Sequence, residues 1–403
     1  MGAASNSEAG AVREAVVFWQ PTATSQQRQA LRTALPPAQS VPLTPHAELW
    51  LAPPGTFQQV RQSSLVRGVE PNQRRSLLPP PASPGLAFRL QASPPLSQWH
   101  LSRARFPQAW AASRGKGVTV AVIDSGVDPN HPDLKANLLP LIDEVTAMGR
   151  KDVIDGKNFD GMDSHGHGTH VSGLIAAVTR PDGSISGGAP ESKILPVKVT
   201  PLSGETDDAT IAKGIRDAVD QGARVLNLSI GGPEPSPILL EALNYAILKG
   251  ALPVIAAGND GGRVNFPAAY PGVVAVGSIT DSGKVADYSC RGEGLVIVAP
   301  GGGQTGGREG SPLLSTMPTY PAFGSSSARA GNGTGTLAGT SMAAPLVSAA
   351  AALVMARFPE LSAPQVRTRL AATANEGQAQ RWEANTGFGA LNAEAAVTER
   401  TDQ

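Results

Sequence analysis

From about residue 98 onward, apolar residues gather into short, nearly unbroken runs at 118–123, 194–199, 224–229, 253–257, 273–277 and 295–298. Runs that do not alternate with polar residues predict strands covered on both faces, as in a parallel sheet. Between them the period changes. Over 207–221, Ile211, Ile215, Ala218 and Val219 fall on one helical face, and over 236–249 Leu239, Leu240, Leu243 and Ile247 do the same. Gly222 and Gly250 follow as helix stops. Strand and helix in alternation predict an α/β fold whose central, mostly parallel sheet carries helices on both faces.

The first part of the chain has another texture. The pattern predicts a strand at 15–19, a helix at 25–35, a strand at 47–52 and a helix from Thr56 to about residue 66. That is a small α+β unit, ferredoxin-like in outline, over 1–77. Pro79, Pro80, Pro81, Pro84, Pro94 and Pro95 follow, so 78–97 reads as an exposed linker and 98–403 as the main domain.

Composition narrows the function classes. With 41% hydrophobic and 16% charged residues the chain is globular, and its net charge of +0 argues against nucleic acid or an anionic membrane as partner. Charge is unevenly placed: residues 1–97 hold eight Arg and four Glu with no Lys or Asp, so the remainder carries the balancing negative excess. Cys290 is the single cysteine, which excludes an intrachain disulfide. No apolar run approaches the ~20 residues of a membrane helix, and the first ten residues lack the apolar core of a secretory signal.

Three segments carry candidate chemistry. Asp124 ends the first buried run, in Val122-Ile123-Asp124-Ser125-Gly126, where a carboxylate is by itself as consistent with a turn as with catalysis. Asp163-Ser164-His165-Gly166-His167-Gly168-Thr169-His170-Val171-Ser172-Gly173 leads into an apolar helix. Its three histidines suit either a metal or a general base. No cysteine or His-Glu-x-x-His arrangement accompanies them, which favours the base. Leu337-Ala338-Gly339-Thr340-Ser341-Met342-Ala343-Ala344-Pro345 opens a long apolar helix reaching Arg357. A serine there can cap the helix, or use its free N–H groups to stabilise an oxyanion.

Asp-Ser-Gly after a buried strand, His-Gly-Thr-His-Val-Ser-Gly entering a helix and Gly-Thr-Ser-Met-Ala-Ala-Pro opening another resemble the three signature segments of the subtilisin-like serine proteases, in that family's order. The resemblance covers about 98–395 and includes Gly387-Phe388-Gly389-Ala390-Leu391-Asn392 near its end. It implies a subtilisin-like three-layer fold and a serine endopeptidase working through an acyl-enzyme. Ser341 is then the nucleophile and His167, the histidine directly before Gly168-Thr169-His170, the base. Asp124 orients that base. Asn259 in Pro253-Val254-Ile255-Ala256-Ala257-Gly258-Asn259 is implied as the oxyanion donor. Ser229, Ile230 and Gly231 form one wall of a groove that takes a polypeptide substrate as an added strand. Ala256, Ala257 and Gly258 flank the pocket for the residue before the cut, and Asn265 matches its floor.

The resemblance also gives the N-terminal unit a role, as a prosegment that inhibits the enzyme until the chain cuts itself. No cofactor is implied for the chemistry. A structural calcium ion is allowed, since Asp133 in His131-Pro132-Asp133-Leu134 resembles a ligand, although the loop at 179–184 departs from the family. Leu346 replaces a histidine common in relatives, without touching the mechanism. The Gly/Ser-rich passage 301–338 reads as a flexible surface loop rather than a specificity lid. The expected protein is a monomer, secreted or in the cell envelope, with an intracellular location left open. The rival functions are a binding protein on the same fold and a hydrolase of esters.

Overall fold

The structure, a computed structural model, describes residues 13–78, 97–154, 157–182, 185–303, 311–320, 322, 333–374 and 381–398. Of the expected linker, residues 79–96 lie outside the described residues.

The N-terminal unit runs β1 (Arg13–Trp19), α1 (Ser25–Ala34), β2 (Gln39–Thr44), β3 (Ala47–Ala52), α2 (Pro54–Arg61) and β4 (Val66–Pro71). Its four strands form an antiparallel sheet in the order β2-β3-β1-β4. Thr24 caps α1 in a reciprocal pair with Gln27, each side chain bonding the other's backbone N–H. The helix expected to reach residue 66 stops at Arg61, and Val66 opens a strand instead. Val66 and Val69 pair across from Trp19 and Val17 and bury beside them, so tertiary pairing overrides the local helical pattern.

Alternate residues of β1 face two different cores. Ala15, Val17 and Trp19 pack with Trp50, Phe57 and Val60 in the unit's own core. Val16 and Phe18, with Leu43 and Leu49, instead join one of the two large cores of the main domain. Each such side chain withdrawn from water contributes about 1.5–3 kcal/mol. An exposed ion pair such as Arg67–Glu241, 3.6 Å apart, is worth about 1 kcal/mol or less. Apolar docking therefore holds the two units together more than the charge asymmetry does.

The last N-terminal strand, β5 (Arg74–Leu77), leaves this unit entirely. It lies antiparallel between the short strands Glu205–Asp207 and Ile230–Gly231 of the main domain.

The main domain is built on a seven-stranded parallel sheet. In chain order its strands are β6 (Thr119–Asp124), β7 (Ile142–Asp143), β8 (Lys193–Lys198), β9 (Val225–Leu228), β10 (Leu252–Ala256), β11 (Val274–Ile279) and β12 (Leu295–Pro300). Their spatial order is β12-β11-β10-β9-β6-β8-β7, so from β6 the chain crosses to the β7 edge, returns through β8 and then steps outward from β9 to β12 on the other side of β6. Val120 and Val122 of β6 face α3 (His167–Ala176), while Ala121 and Ile123 face α4 (Asp208–Asp220) and α5 (Pro237–Leu248). Also on the α3 side lies α6 (Thr340–Arg357), which has the length and apolar composition of a membrane span and is buried in the core instead. Three layers result, as the sequence predicted.

Passage 301–338 is not simply a surface loop. Leu313–Thr316 and Thr334–Leu337 pair as a hairpin. Ser315 and Thr316 donate their hydroxyls to the carbonyls of His170 (2.8 Å) and Thr169 (2.7 Å), so the hairpin braces α3.

Candidate active site

Asp124 stands at the carboxyl end of β6 and is fully buried. His167 opens α3 directly after Gly166, whose φ of 96° turns the chain into the helix. Gly168 then lets the helix approach β6: a Cβ there would stand 2.1 Å from the Gly126 carbonyl oxygen. Asp163 fixes the turn by accepting from the Ser125 hydroxyl (2.8 Å), the N–H groups of Gly166 (2.7 Å) and Thr169 (2.9 Å) and the Thr169 hydroxyl (2.6 Å). The same Ser125 oxygen accepts from Gly168 N–H at 3.0 Å. Strand end and helix start are thereby held as one body.

Within that body His167 Nδ1 lies 2.8 Å from Asp124 Oδ1 and 3.0 Å from Oδ2. Burial works against an imidazolium at His167, but the charge and hydrogen bond of Asp124, helped by Asp163, outweigh it and raise the proton affinity above the ordinary value of 6.5. The neighbouring histidines behave oppositely. Burial, with the charge of His167, lowers His165, and the same two causes bring His170 to about 3. His170 Nε2 lies 3.1 Å from the Leu313 carbonyl oxygen. Of the three, only His167 is both paired to a carboxylate and raised.

Ser341 is the second residue of α6, which Gly339 leads into. Pro345 stands inside this helix and has no N–H to give the carbonyl of Ser341 four residues back. The hydroxyl of Ser229 takes that carbonyl at 3.1 Å. Thr340, beside Ser341, donates its N–H (2.9 Å) and hydroxyl (2.7 Å) to Asn259 Oδ1, which turns the Asn259 amide nitrogen the other way. Gly258 N–H donates to the same Thr340 hydroxyl at 3.3 Å. Residues expected from three separate segments, 229–231, 256–259 and 340–341, are thus in direct contact. His167 Nε2 and Ser341 Oγ are buried, and neither has a hydrogen-bond partner among the described residues.

The pocket floor expected at Asn265 lies against Gly258, where an added Cβ would be 2.5 Å from Asn265 Nδ2 and 2.7 Å from Cys290 Sγ. Asn265 N–H donates to Ala257 O at 2.9 Å. Cys290 donates to Asp260 Oδ1 at 2.8 Å; burial and that bond push its thiol up to about 11, so it is a packed donor rather than a nucleophile.

The groove beside these residues holds β5. Ser76 and Leu77 pair with Gly231 and Ile230, Leu77 N–H donates to Gly204 O at 2.8 Å, and Leu78 N–H to Ser229 O at 3.2 Å. Nothing in Arg74-Arg75-Ser76-Leu77 signals a strand on its own, and the sequence reading placed none there. Asp163 was also missed as a positioning residue; an acid four residues before a helix is a turn former in sequence terms and shows its role only through the hydrogen bonds it accepts.

The calcium ligand suggested at Asp133 does not fit the site. Both Asp133 oxygens face the Arg180 guanidinium, Nε at 2.8 Å from Oδ1, so a fixed cation already holds that carboxylate. Among the described residues no group of three His, Cys, Asp or Glu side chains gathers for a metal.

Residues 115–389 match the model of the subtilase family. Subtilisin Savinase of Lederbergia lenta is 37% identical over 302 residues, covering 74% of this chain and 98% of that protein. Thermitase of Thermoactinomyces vulgaris is 35% identical, covering 69% and 88% respectively. The major intracellular serine protease of Bacillus subtilis is 38% identical, covering 62% of this chain and 72% of that protein. Among solved structures, fervidolysin of Fervidobacterium pennivorans, described as a keratinolytic enzyme related to subtilisin, matches all of this chain and 63% of its own, with a TM-score of 0.75 at 26% identity. The chain belongs to the subtilase family and is a serine endopeptidase, which acts on polypeptides and needs no cofactor for its chemistry.

Proposed function

We propose that hydrolysis runs through Ser341, His167 and Asp124, and that the N-terminal unit holds the enzyme inactive until the chain cuts itself between Leu78 and Gln98. The carrying observation is the Asp124–His167 pair at 2.8 Å together with two buried, partnerless atoms, His167 Nε2 and Ser341 Oγ. Buried polar atoms without partners are uncommon and call for an explanation. Here the explanation is a bond that closes during the reaction, as catalytic hydrogen bonds often do.

Ser341 Oγ attacks the substrate carbonyl carbon while its proton passes to His167 Nε2. Asp124 accepts from Nδ1–H and stabilises the imidazolium that forms. The Asn259 amide and the Ser341 N–H donate to the oxyanion. His167 then gives its proton to the leaving amine, and water repeats the sequence on the acyl-enzyme. Ser229, Ile230 and Gly231 pair with the substrate strand, and Ala256, Ala257, Gly258 and Asn265 border the side chain before the cut. The placement of β5 in the same groove supports the inhibitory role.

Ser341→Ala and His167→Ala each lower turnover by roughly 10⁶-fold, a magnitude carried over from subtilisin. Cleavage of a peptide library by the purified chain, with Ser341→Ala as control, tests this. A Ser341→Ala protein keeping a tenth of the activity overturns the assignment. A wild-type chain fully active with its N-terminus intact overturns the zymogen reading.

A further inference from the structure

We propose, resting on the groove assignment above, that Asp208 lines a specificity subsite which selects arginine at the fourth residue before the cleaved bond.

The register of β5 sets the position. Leu78 N–H bonds Ser229 O, Leu77 lies opposite Ile230 and Ser76 opposite Gly231. A substrate strand taking this register puts its last residue before the cut where Leu78 stands, and its fourth where Arg75 stands. Arg75 and Asp208 are each only 1% exposed at the side chain. Arg75 Nε donates to Asp208 Oδ1 at 2.6 Å and Nη2 approaches Oδ2 at 3.4 Å. Nη2 also donates to the Glu234 carbonyl at 2.7 Å and to Gln73 Oε1 at 3.2 Å. Gly232 leaves room for the guanidinium: a Cβ there would be 2.8 Å from Arg75 Nη1. Arg74, the adjacent arginine, is exposed, so the site belongs to one position of the strand.

Asp208 is not needed as a helix cap. Asp207 already accepts from the Thr210 N–H and hydroxyl at 3.0 Å each. Asp208 and the Glu234 carbonyl, which with Gln73 accept from the guanidinium among the described residues, belong to the main domain and stay when β5 leaves. A carboxylate built into a groove to meet a planar, forked cation and then stripped of it favours a ligand that restores the cation. Lysine offers a point charge without the fork and serves less well.

The test uses the full-length Ser341→Ala chain carrying a recognition site for a sequence-specific protease within 79–96, so that both units fold together before the linker is cut; the N-terminal unit is then separated by size exclusion in mild denaturant, which vacates the groove before peptides are added. Binding of fluorescein-labelled Arg-Ser-Leu-Leu, Lys-Ser-Leu-Leu and Ala-Ser-Leu-Leu peptides is read by anisotropy. The arginine peptide binds at least about tenfold tighter than the alanine peptide, and Asp208→Asn brings the ratio to within twofold. Equal binding of the two peptides, or a preference that survives Asp208→Asn, overturns the proposal. The same peptides with a chromogenic leaving group, given to the Ser341 chain, report separately on hydrolysis. Preferential binding without cleavage removes the catalytic reading and keeps the subsite, whereas cleavage without preference does the reverse.

Discussion

The hydroxyl of Ser229 donates to the backbone carbonyl of Ser341 at 3.1 Å, filling the acceptor that Pro345 leaves open in α6. The wall of the proposed substrate groove and the helix bearing the proposed nucleophile are therefore fastened at one point. Both residues are buried, Ser229 at 0% and Ser341 at 2% exposure, so water does not replace a lost donor easily. Ser229→Ala destabilises the fold by about 1–3 kcal/mol. Denaturant unfolding in a Ser341→Ala background, where self-digestion is absent, measures it; an unchanged midpoint contradicts the structural role.

The acid limb of the pH profile follows from His167. As the proposed base, His167 works only when neutral, and Asp124 raises its proton affinity above 6.5. Activity therefore falls as pH drops through a midpoint above 6.5, where His167 takes up its proton. Asp124→Asn removes the main favourable charge and leaves burial, which acts in the opposite direction, so the midpoint moves down while turnover drops by roughly 10⁴-fold. A kcat/KM profile of both proteins decides the matter, and a midpoint that stays or rises in Asp124→Asn refutes the pairing.

Asn259 has two separable tasks. Its oxygen accepts from Thr340, and its nitrogen is the proposed oxyanion donor. Asn259→Ala lowers kcat by ~10²–10³ with KM nearly unchanged. Asn259→Asp keeps an acceptor for Thr340 and loses the donor, so it shows the same loss of kcat. Recovery of activity in Asn259→Asp makes the residue a brace for Thr340 and nothing more.

In the register proposed for a substrate strand, Leu78, whose N–H bonds Ser229 O, takes the position before a cut, yet the next residues are Pro79, Pro80 and Pro81. A proline nitrogen carries no hydrogen, and its ring fixes φ, so the bond after Leu78 is a poor one to break. Self-cleavage falls further along, between residues 82 and 98, and Pro79→Ala moves it to Leu78 and speeds it. Intact mass followed over time reports both site and rate. A wild-type chain cut after Leu78 as fast as Pro79→Ala overturns this.

The central sheet was legible because β6, β8, β9, β10, β11 and β12 are buried on both faces and are therefore mostly apolar, with few polar residues such as Lys198 and Asn227 among them. The segments bearing Asp124, His167 and Ser341 stood out because each is a short motif of glycines and small residues that close packing demands, as at Gly168. What escaped was set by distant partners. Arg74–Leu77 becomes a strand only between residues of the main domain, and Arg75 is buried only because Asp208 meets it. Leu313–Thr316 and Thr334–Leu337 lie in glycine-rich sequence with no period to read; Leu313–Thr316 is buried against α3, and Thr334–Leu337 pairs with it. Val66 was assigned to a helix because nothing local reveals the β1 strand that claims it.

The place of α6 in the chain bears on how the protein is made. Thr340–Arg357 follows all seven strands of the central sheet, and its Ala343, Ala344, Val347, Ala350 and Val354 cover one of that sheet's faces. Synthesis proceeds from the N-terminus, so β1 to β5 and the whole sheet emerge before this helix does. Until then α3 covers Val120 and Val122, the part of that face bearing Val254 and Val276 lacks α6, and the proposed nucleophile does not yet exist. A nascent chain is consequently sticky but incapable of proteolysis, and a product truncated before residue 340 aggregates without harming its neighbours by cleavage. Completion of the core and acquisition of the serine are a single late event.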